Sequence, residues 1–307
     1  MLRPSERAIL HSVIYAALFD YPLTLAELHR SLMGVALDEA AILKAYRASP
    51  ALRDAIEYRD GLFFPAGRGR LVAERRRRER RSLAFLERHR RLLDLVCAIP
   101  YVRMVALSGS IAHLNMDGAG DLDLFIVTRG RHVWSVTVAI VVLAKLLRHR
   151  DVTCVNFVLA DSRLALDQQD LFTANQMIHL KPLIGREVLQ EFLRANPFVA
   201  TFYPNGRPTE ASAFTFEQRP RAARLKSMVE RVCRIPAAAV EILCRRAYTW
   251  HLHRRAGSWQ SPGQVRLEPD CLKLHTRSHR RSILERFSAA VDDAMETIDH
   301  VEPRVAP

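Results

Sequence analysis

The chain has 307 residues, 49% hydrophobic and 26% charged, a composition typical of a globular protein and not of a disordered one. Its formal net charge of +13 indicates either a polyanionic partner (nucleic acid, a nucleoside triphosphate or an anionic membrane surface) or merely an arginine-rich proteome. Scattered cysteines without a CxxC pair argue against a disulfide framework, and Cys271 with His275 and His279 lacks the second ligand pair of a zinc site.

Two features lead us to expect a cytoplasmic protein without a membrane span. The N-terminus carries early acidic residues and no small-residue cleavage site, unlike a signal peptide. The most apolar run, Val133–Leu147, contains Lys145 and is shorter than the roughly 20 residues that a membrane span needs. We therefore expect this run to be a buried helix that covers a sheet.

Three helices are predicted at the start of the chain. An apolar stripe with helical spacing covers 5–19. Thr24 and Glu27 match the capping box that opens a second helix, which we expect Gly34 to end. A third helix fits residues 38–46.

A β-hairpin is predicted next, because apolar residues alternate on both sides of Asp60-Gly61. Three helices followed by a hairpin are typical of a winged helix-turn-helix, so residues 1–70 are predicted to form a winged-helix-like domain. Such domains bind either DNA or other proteins. The third helix offers only Lys44 and Arg47 as cations, which favours the protein-binding alternative.

Residues 71–100 are predicted to form one long, basic connector helix that Pro100 ends. Leu86 and Leu93 lie on its apolar side. The run Arg75–Arg81 is charged all round the helix, so we expect it either to be solvated or to contact a phosphate backbone.

The core, residues 101–205, begins with short strands separated by an apolar helix. Strands fit 101–109, 121–128 and 152–160, and the helix fits 132–147. This order predicts an α/β (α+β) core with a short mixed β-sheet.

The remainder of the chain is predicted to be helical. Within the core, breaks between helices are expected at Lys181-Pro182, Gly185 and Pro204. Residues 206–307 are predicted to form an α-helical C-terminal region, with an exposed linker over 210–227 and helices over about 222–256 and 278–300.

A pair of carboxylates interrupts the second core strand. Asp121 and Asp123 alternate with Leu122 and Leu124, so both carboxylates point to the same face of the strand. Two carboxylates at this spacing supply the hard oxygen ligands that Mg²⁺ prefers, and a cation explains how two like charges coexist.

A glycine-serine turn precedes this pair. Gly109-Ser110 follows a strand and should open a helix, where backbone N–H groups and the serine hydroxyl favour a phosphate group. Glycine also lets the backbone approach a ligand closely. A phosphate turn and a carboxylate pair in one hairpin-like unit predict a site for a metal-bound nucleoside triphosphate.

The segment Leu107–Thr128, LSGSIAHLNMDGAGDLDLFIVT, resembles the signature of the DNA polymerase beta-like nucleotidyltransferase superfamily. Most of residues 5–205 is similar to bacterial nucleotidyltransferase-domain proteins with an N-terminal winged-helix-like segment. The resemblance implies transfer of a nucleoside monophosphate from a nucleoside triphosphate to an acceptor group, with two Mg²⁺ (or Mn²⁺) ions and release of pyrophosphate. A nucleic acid or a protein is the expected acceptor, and a small molecule is an alternative.

The resemblance assigns roles to individual residues. Gly109 and Ser110 match the phosphate-binding turn, and Asp121 and Asp123 match the first two metal ligands. Lys181 fits a clamp for the triphosphate, although it equally fits a surface lysine before a helix break.

One position departs from the superfamily pattern, because Asn156 stands where the third carboxylate is expected. An amide oxygen ligates Mg²⁺ but brings no charge and takes no proton from the acceptor hydroxyl. Asp151 or Asp161 could supply the missing carboxylate, or another base or water could deprotonate the acceptor. The third alternative is a catalytically degenerate protein that senses nucleotide or binds DNA as a regulator.

Other polar groups near the motif have simpler explanations. Asp170 is expected to cap a helix, and His113 is expected to be solvated. Arg129 and Arg131 are expected to meet phosphates or water.

Overall fold

The computed structural model describes residues 2–118, 120–206, 214, 216, 226–231, 237–276 and 278–301. Residues 2–70 form helices and a three-stranded antiparallel sheet of order β1-β3-β2. The helices are α1 (Pro4–Ala17), α2 (Leu25–Arg30), α3 (Glu39–Ala48) and α4 (Pro50–Ala55), and the strands are β1 (Leu23–Thr24), β2 (Ile56–Arg59) and β3 (Leu62–Pro65).

The predicted N-terminal helices and hairpin are present. Asp60 and Gly61 both have positive φ, 54° and 79°, as the tight hairpin turn requires. The Thr24/Glu27 capping box is formed. The prediction that Gly34 ends α2 is wrong, since the helix ends earlier, at Arg30. From Met33 onward the backbone N–H groups bond outside the helix, that of Met33 to the Ser12 hydroxyl at 3.1 Å and that of Gly34 to the Phe202 carbonyl oxygen at 2.9 Å.

The predicted single connector helix is two helices, α5 (Arg70–Arg88) and α6 (Arg90–Cys97). They meet at the buried His89, whose Nδ1 lies 2.8 Å from the Phe85 carbonyl oxygen. The break turns the apolar side of α6 onto the core, where Leu93 and Val96 are fully buried.

The basic run of α5 is exposed on one side only, whereas a charged surface all round the helix was predicted. The side chains of Arg75 and Arg78 are only 12% and 14% exposed. Arg75 pairs with Glu27 of α2 at 2.8 Å. Arg78 pairs with Glu74 of its own helix at 2.8 Å and with Asp20, which follows α1, at 3.8 Å. The pairs with Glu27 and Asp20 attach α5 to the N-terminal region, because intramolecular carboxylates supply the anions.

A six-stranded sheet forms the centre of the described chain, in the order β7-β4-β5-β6-β9-β8. Its strands are β4 (Val102–Leu107), β5 (Leu122–Thr128), β6 (Thr153–Ala160), β7 (Lys181–Ile184), β8 (Val265–Leu267) and β9 (Cys271–Leu274). Only β5 and β6 run parallel, and the other pairs are antiparallel. The sheet is therefore mixed and the fold is α+β, as predicted.

Helices cover both faces of this sheet. They are α7 (Gly109–Ala112), α8 (Val133–Leu146), α9 (Leu171–Ile178), α10 (Arg186–Arg194), α11 (Phe198–Phe202), α12 (Ala237–His253) and α13 (Arg280–Val301). Leu122, Leu124 and Ile126 of β5 pack toward α6 and α8, as predicted. Phe125 and Val127, on the opposite face, pack toward α9, α10 and α11.

The expected apolar helix is α8, and its Trp134 and Ile140 are fully buried. None of the described helices combines the length and hydropathy that crossing a bilayer requires.

The prediction of helix on both sides of Lys181-Pro182 is wrong at 181–184, which is strand β7. Residues 206–307 are also not purely α-helical, because β8 and β9 lie there and join the central sheet through β6. The pairing covers the outer edge of β6 and buries Cys271 and Leu272. Most of the predicted linker at 210–227 lies outside the described residues.

The C-terminal region shares its buried residues with the rest of the molecule. Leu272 belongs to the cluster on the α8 face of the sheet, and Ile298 of α13 belongs to the N-terminal cluster around α1. The division into domains at 70, 100 and 205 stays a prediction.

Glu241 of α12 fixes the start of α8. It is 8% exposed, and its carboxylate accepts hydrogen bonds from the backbone N–H groups of Trp134 and Ser135, both at 2.8 Å. We expect Glu241→Gln to lower the free energy of unfolding by about 1–3 kcal/mol, since the charge-assisted bonds to the helix N-terminus weaken. Urea unfolding followed by circular dichroism measures this change. The exposed Arg246→Gln is the control, and equal stability of the two variants would contradict the assignment.

Candidate functional site

The two predicted carboxylates lie at the start of β5. Asp123 is the second residue of the strand and pairs with Cys154 of β6, whereas Asp121 lies one residue before the strand. Both are half-buried. Because strand side chains alternate, Asp123 shares a face with Phe125, so the carboxylates border the apolar layer beneath α9 and α10.

The glycine turn lies against the second carboxylate. α7 begins at Gly109, as predicted, and Ser110 is exposed in its first turn. Gly109 has φ +62°, and a Cβ there would come within 2.4 Å of Asp123 Oδ2. The Ser108 N–H also donates to the Asp123 carbonyl oxygen at 2.9 Å. Position 109 therefore requires glycine, because the Asp123 carboxylate leaves no room for a side chain beside the backbone.

Asn156 contacts the same carboxylate from the neighbouring strand. The β5–β6 pairing shifts register between Leu124 and Phe125, which leaves Asn156 as an extra, bulged residue. Its Nδ2 donates to Asp123 Oδ1 at 3.0 Å. Bulges re-aim side chains, and this bulge directs the Asn156 amide toward the Asp123 carboxylate.

The two aspartates considered as substitutes do not take this position. Asp161 follows the opposite end of β6, about 16 Å along the strand from Asn156, where it accepts from Arg103 at 3.2 Å and from the Gly130 N–H at 2.9 Å. Asp151 is an exposed turn residue before β6.

The carboxylate pair is electrostatically strained as it stands. Burial and, to a smaller extent, the charge of Asp121 raise the pKa of Asp123 to about 6, against the opposing hydrogen bond from Asn156. Cys154 Sγ donates to Asp121 Oδ2 at 3.5 Å. Burial and the two nearby aspartates raise the pKa of this thiol to about 12, so it stays protonated. A cation between the carboxylates would relieve the repulsion.

An open cleft of about 400 Å³ begins at Asp123. Its polar end comprises Ser108, Gly109, Asp123, Cys154 and Asn156. Aromatic side chains form much of its wall: Phe125, Phe157, Phe172 and Phe192. Its volume is within the range of ligand-binding clefts, roughly 300–1,000 Å³.

The segment after β9 closes the far side of this cleft with His275, Thr276, Ser278 and His279. These residues were not predicted to line a cleft, because 206–307 was expected to be an α-helical region. The alternation in VRLEPDCLKL, broken at a Pro-Asp pair, is the signal that could have found the β8–β9 hairpin.

Cys271 is buried in β9. No group of three or more His, Cys, Asp or Glu side chains able to hold a metal occurs among the described residues.

Lys181 does not line the cleft that contains Asp123. As the first residue of β7 it pairs with Leu107 of β4, directly beside the glycine turn. Its side chain lines a different cavity, of about 270 Å³, between the core and α2. The structure thus brings together Gly109, Asp123 and Asn156, and separates Lys181 from them.

The expected surroundings of three other polar groups can be compared with the structure. His113 is half-buried, with its ring centroid 4.3 Å from that of His179, and burial lowers its pKa to about 4. Asp170 caps α9 through the Thr173 N–H at 2.8 Å, as predicted. Arg129 pairs with Glu230 at 2.9 Å.

Comparisons of the chain with known protein families, with curated proteins and with solved structures returned no match. Its likeness to the nucleotidyltransferase superfamily therefore depends on the motif residues and their geometry.

The contact between Gly109 and Asp123 can be tested by substitution. Gly109→Ala forces a Cβ into the carboxylate and strains a positive φ, which costs roughly 1–2 kcal/mol for the backbone alone. We expect a lower unfolding midpoint and a displaced Asp123, detected as shifted resonances of Asp123 and Asn156. Gly118→Ala is the control, since its Cβ would meet nothing within 4 Å. Equal effects of the two variants would contradict the proposed contact.

Proposed function

We propose that the protein is a Mg²⁺-dependent nucleotidyltransferase that moves a nucleoside monophosphate from a nucleoside triphosphate to an acceptor. One observation carries the proposal. The backbone of Gly109 contacts the carboxylate of Asp123 at the polar end of a cleft of about 400 Å³, with Asp121 two residues away. A turn suited to phosphate thus lies beside Asp123, the one member of the carboxylate pair that lines the cleft.

The chemistry of the donor set fits Mg²⁺. Asp121 and Asp123 offer carboxylate oxygens, and their mutual repulsion in a half-buried site favours a cation. The amide of Asn156 donates to Asp123, and a rotation of the side chain would offer its oxygen instead. When bound, Mg²⁺ would offset negative charge on the phosphate oxygens and polarise the α-phosphorus.

The proposed reaction needs no further reagent. The acceptor oxygen forms a bond to the α-phosphorus, the bond from that phosphorus to the oxygen bridging to the β-phosphate breaks, and pyrophosphate leaves with the electron pair. Exposed N–H groups at the start of α7 would orient the phosphates, and the aromatic wall at Phe157 and Phe172 would hold the nucleoside. Asn156 has no basic atom, so the acceptor proton would pass to another base or to water.

A second candidate function is binding of nucleotide without turnover. It is favoured by the amide of Asn156. Unlike the carboxylate expected at that position, an amide carries no negative charge for a metal and accepts no proton from the acceptor hydroxyl. The protein would then report nucleotide levels through its N-terminal region. Asp121 and Asp123 fit both candidates, because two half-buried like charges are costly without a cation and both candidates supply one.

Metal-dependent nucleotide binding is the first test. A nucleoside triphosphate with Mg²⁺ should raise the midpoint of thermal unfolding, because ligand binds the folded state. The effect should vanish in Asp121→Asn/Asp123→Asn. It should also weaken as the pH falls through 6, since the raised pKa of Asp123 means that a proton then competes with the metal. If the nucleotide still raises the unfolding midpoint in the double variant, or if this increase does not depend on pH, the proposed metal site is contradicted.

Turnover separates the two candidate functions. Release of pyrophosphate from labelled triphosphate, measured with a panel of acceptors, should fall at least 100-fold in Asp123→Asn. Asn156→Asp supplies the third carboxylate and should raise the rate if the wild-type site is a weak enzyme. Metal-dependent binding without pyrophosphate release in wild type or Asn156→Asp would favour the sensor and rule out the transferase.

A further inference from the structure

The cavity that contains Lys181 is lined by more cations than anions. Its charged described residues are the cations Arg30, Arg75, Lys181 and Arg186 and the anions Glu27 and Glu79. Glu27 already pairs with Arg75 at 2.8 Å, and the Tyr21 hydroxyl donates to it at 2.6 Å. Among the described residues, cations therefore outnumber anions around a cavity of about 270 Å³.

Lys181 is a half-buried cation of this cavity. Its ammonium group makes no hydrogen bond or ion pair with any residue that the structure describes. Burial and the nearby Arg30 together lower the pKa of Lys181 to about 8, against a smaller opposing effect of Glu27. A partly desolvated cation beside another cation is costly unless an anion joins them.

A neutral cavity of about 150 Å³ adjoins both this cationic cavity and the cleft, because it shares lining residues with each of them. Tyr21, Ala112 and His113 line both the neutral and the cationic cavity. Gly109 and Gln176 line both the neutral cavity and the Asp123 cleft. The three volumes therefore follow one another around α7.

The lining of the neutral cavity contains no Asp, Glu, Lys or Arg among its described residues. It offers aromatic rings and neutral hydrogen-bonding groups: Tyr15, Phe19, Tyr21, Asn115, Asn175 and Gln176. The imidazoles of His113 and His179 are neutral as well, because burial lowers the pKa of each. Such walls fit an uncharged organic group about the size of one aromatic ring.

We propose that these two cavities bind a small phosphate ester, with its phosphate beside Lys181 and its uncharged body in the neutral cavity. The body then lies next to Gly109, at the entrance to the Asp123 cleft. On the proposed function, on which this role rests, the phosphate ester is the acceptor. A hydroxyl on its uncharged body receives the nucleoside monophosphate, and the N-terminal region supplies part of the acceptor site through Tyr15, Tyr21 and Arg30.

Binding is tested without Mg²⁺, so that the acceptor site is measured apart from the metal site. AMP, ribose 5-phosphate and inorganic phosphate are titrated by calorimetry against adenosine and ribose. We expect the phosphorylated compounds to bind at least tenfold more tightly than their unphosphorylated counterparts. The preference should be lost in Lys181→Gln and kept in Lys145→Gln, which changes an exposed lysine of α8.

A second measurement needs no variant. A lysine with a pKa of about 8 reacts readily with acylating reagents near that pH, and a bound phosphate should protect it. Acetylation of Lys181, mapped by mass spectrometry, should slow at least fivefold with ribose 5-phosphate and not with ribose. Equal binding by wild type and Lys181→Gln, or no protection, would overturn the proposal.

The outcome is independent of the metal site. Asp121→Asn/Asp123→Asn should bind the phosphate esters as wild type does. If the phosphate esters bind but wild type shows no metal-dependent nucleotide binding, the proposed transferase is overturned and this site is kept. If wild type binds nucleotide with metal but does not bind the phosphate esters, only this site is overturned.

Discussion

The close approach of the Gly109 backbone to the Asp123 carboxylate is the constraint on which the site depends. Leu107 pairs with Leu124 and the Ser108 N–H bonds to the Asp123 carbonyl oxygen, so the turn before α7 and the start of β5 are fixed to one another. Any side chain at position 109 would displace the carboxylate. The chain therefore places a turn suited to phosphate and a group suited to metal in a single, rigid arrangement.

The N-terminal region contributes to the same arrangement. Arg75 of the basic helix α5 pairs with Glu27 and lies over the ring of Tyr21, with 4.2 Å between the guanidinium carbon and the ring centroid. These contacts form one wall of the cationic cavity. Part of the positive charge that suggested a polyanionic partner is thus used inside the molecule, and Lys181 remains a cation without a carboxylate partner among the described residues. Three cavities thus adjoin α7: the cleft with Asp123, the neutral cavity and the cationic cavity with Lys181. On our proposals they would hold a metal, an uncharged group and a phosphate, in that order.

Local sequence patterns predicted the local structure well and the long-range contacts poorly. Period-2 and helical spacing predicted β4, β5, β6 and α8, and the Asp60-Gly61 pair predicted its hairpin. The sequence could not reveal the bulge at Asn156 or the break at His89, because both depend on partners distant along the chain. Strand β7 was mistaken for a helix end at Pro182, although it is an edge strand, where proline is tolerated. The separation of Lys181 from Asp123 likewise depends on tertiary packing.

The central claim is that Asp121 and Asp123 jointly bind a metal that carries the triphosphate. Crystals soaked with Mn²⁺ and a non-hydrolysable nucleoside triphosphate test it most directly, because anomalous scattering locates the metal. The account predicts a peak within about 2.3 Å of oxygens from both carboxylates, with a phosphate oxygen completing the coordination beside Gly109. Clear density for the nucleotide elsewhere, with Asp123 still hydrogen-bonded to Asn156 and no metal between the carboxylates, would contradict it.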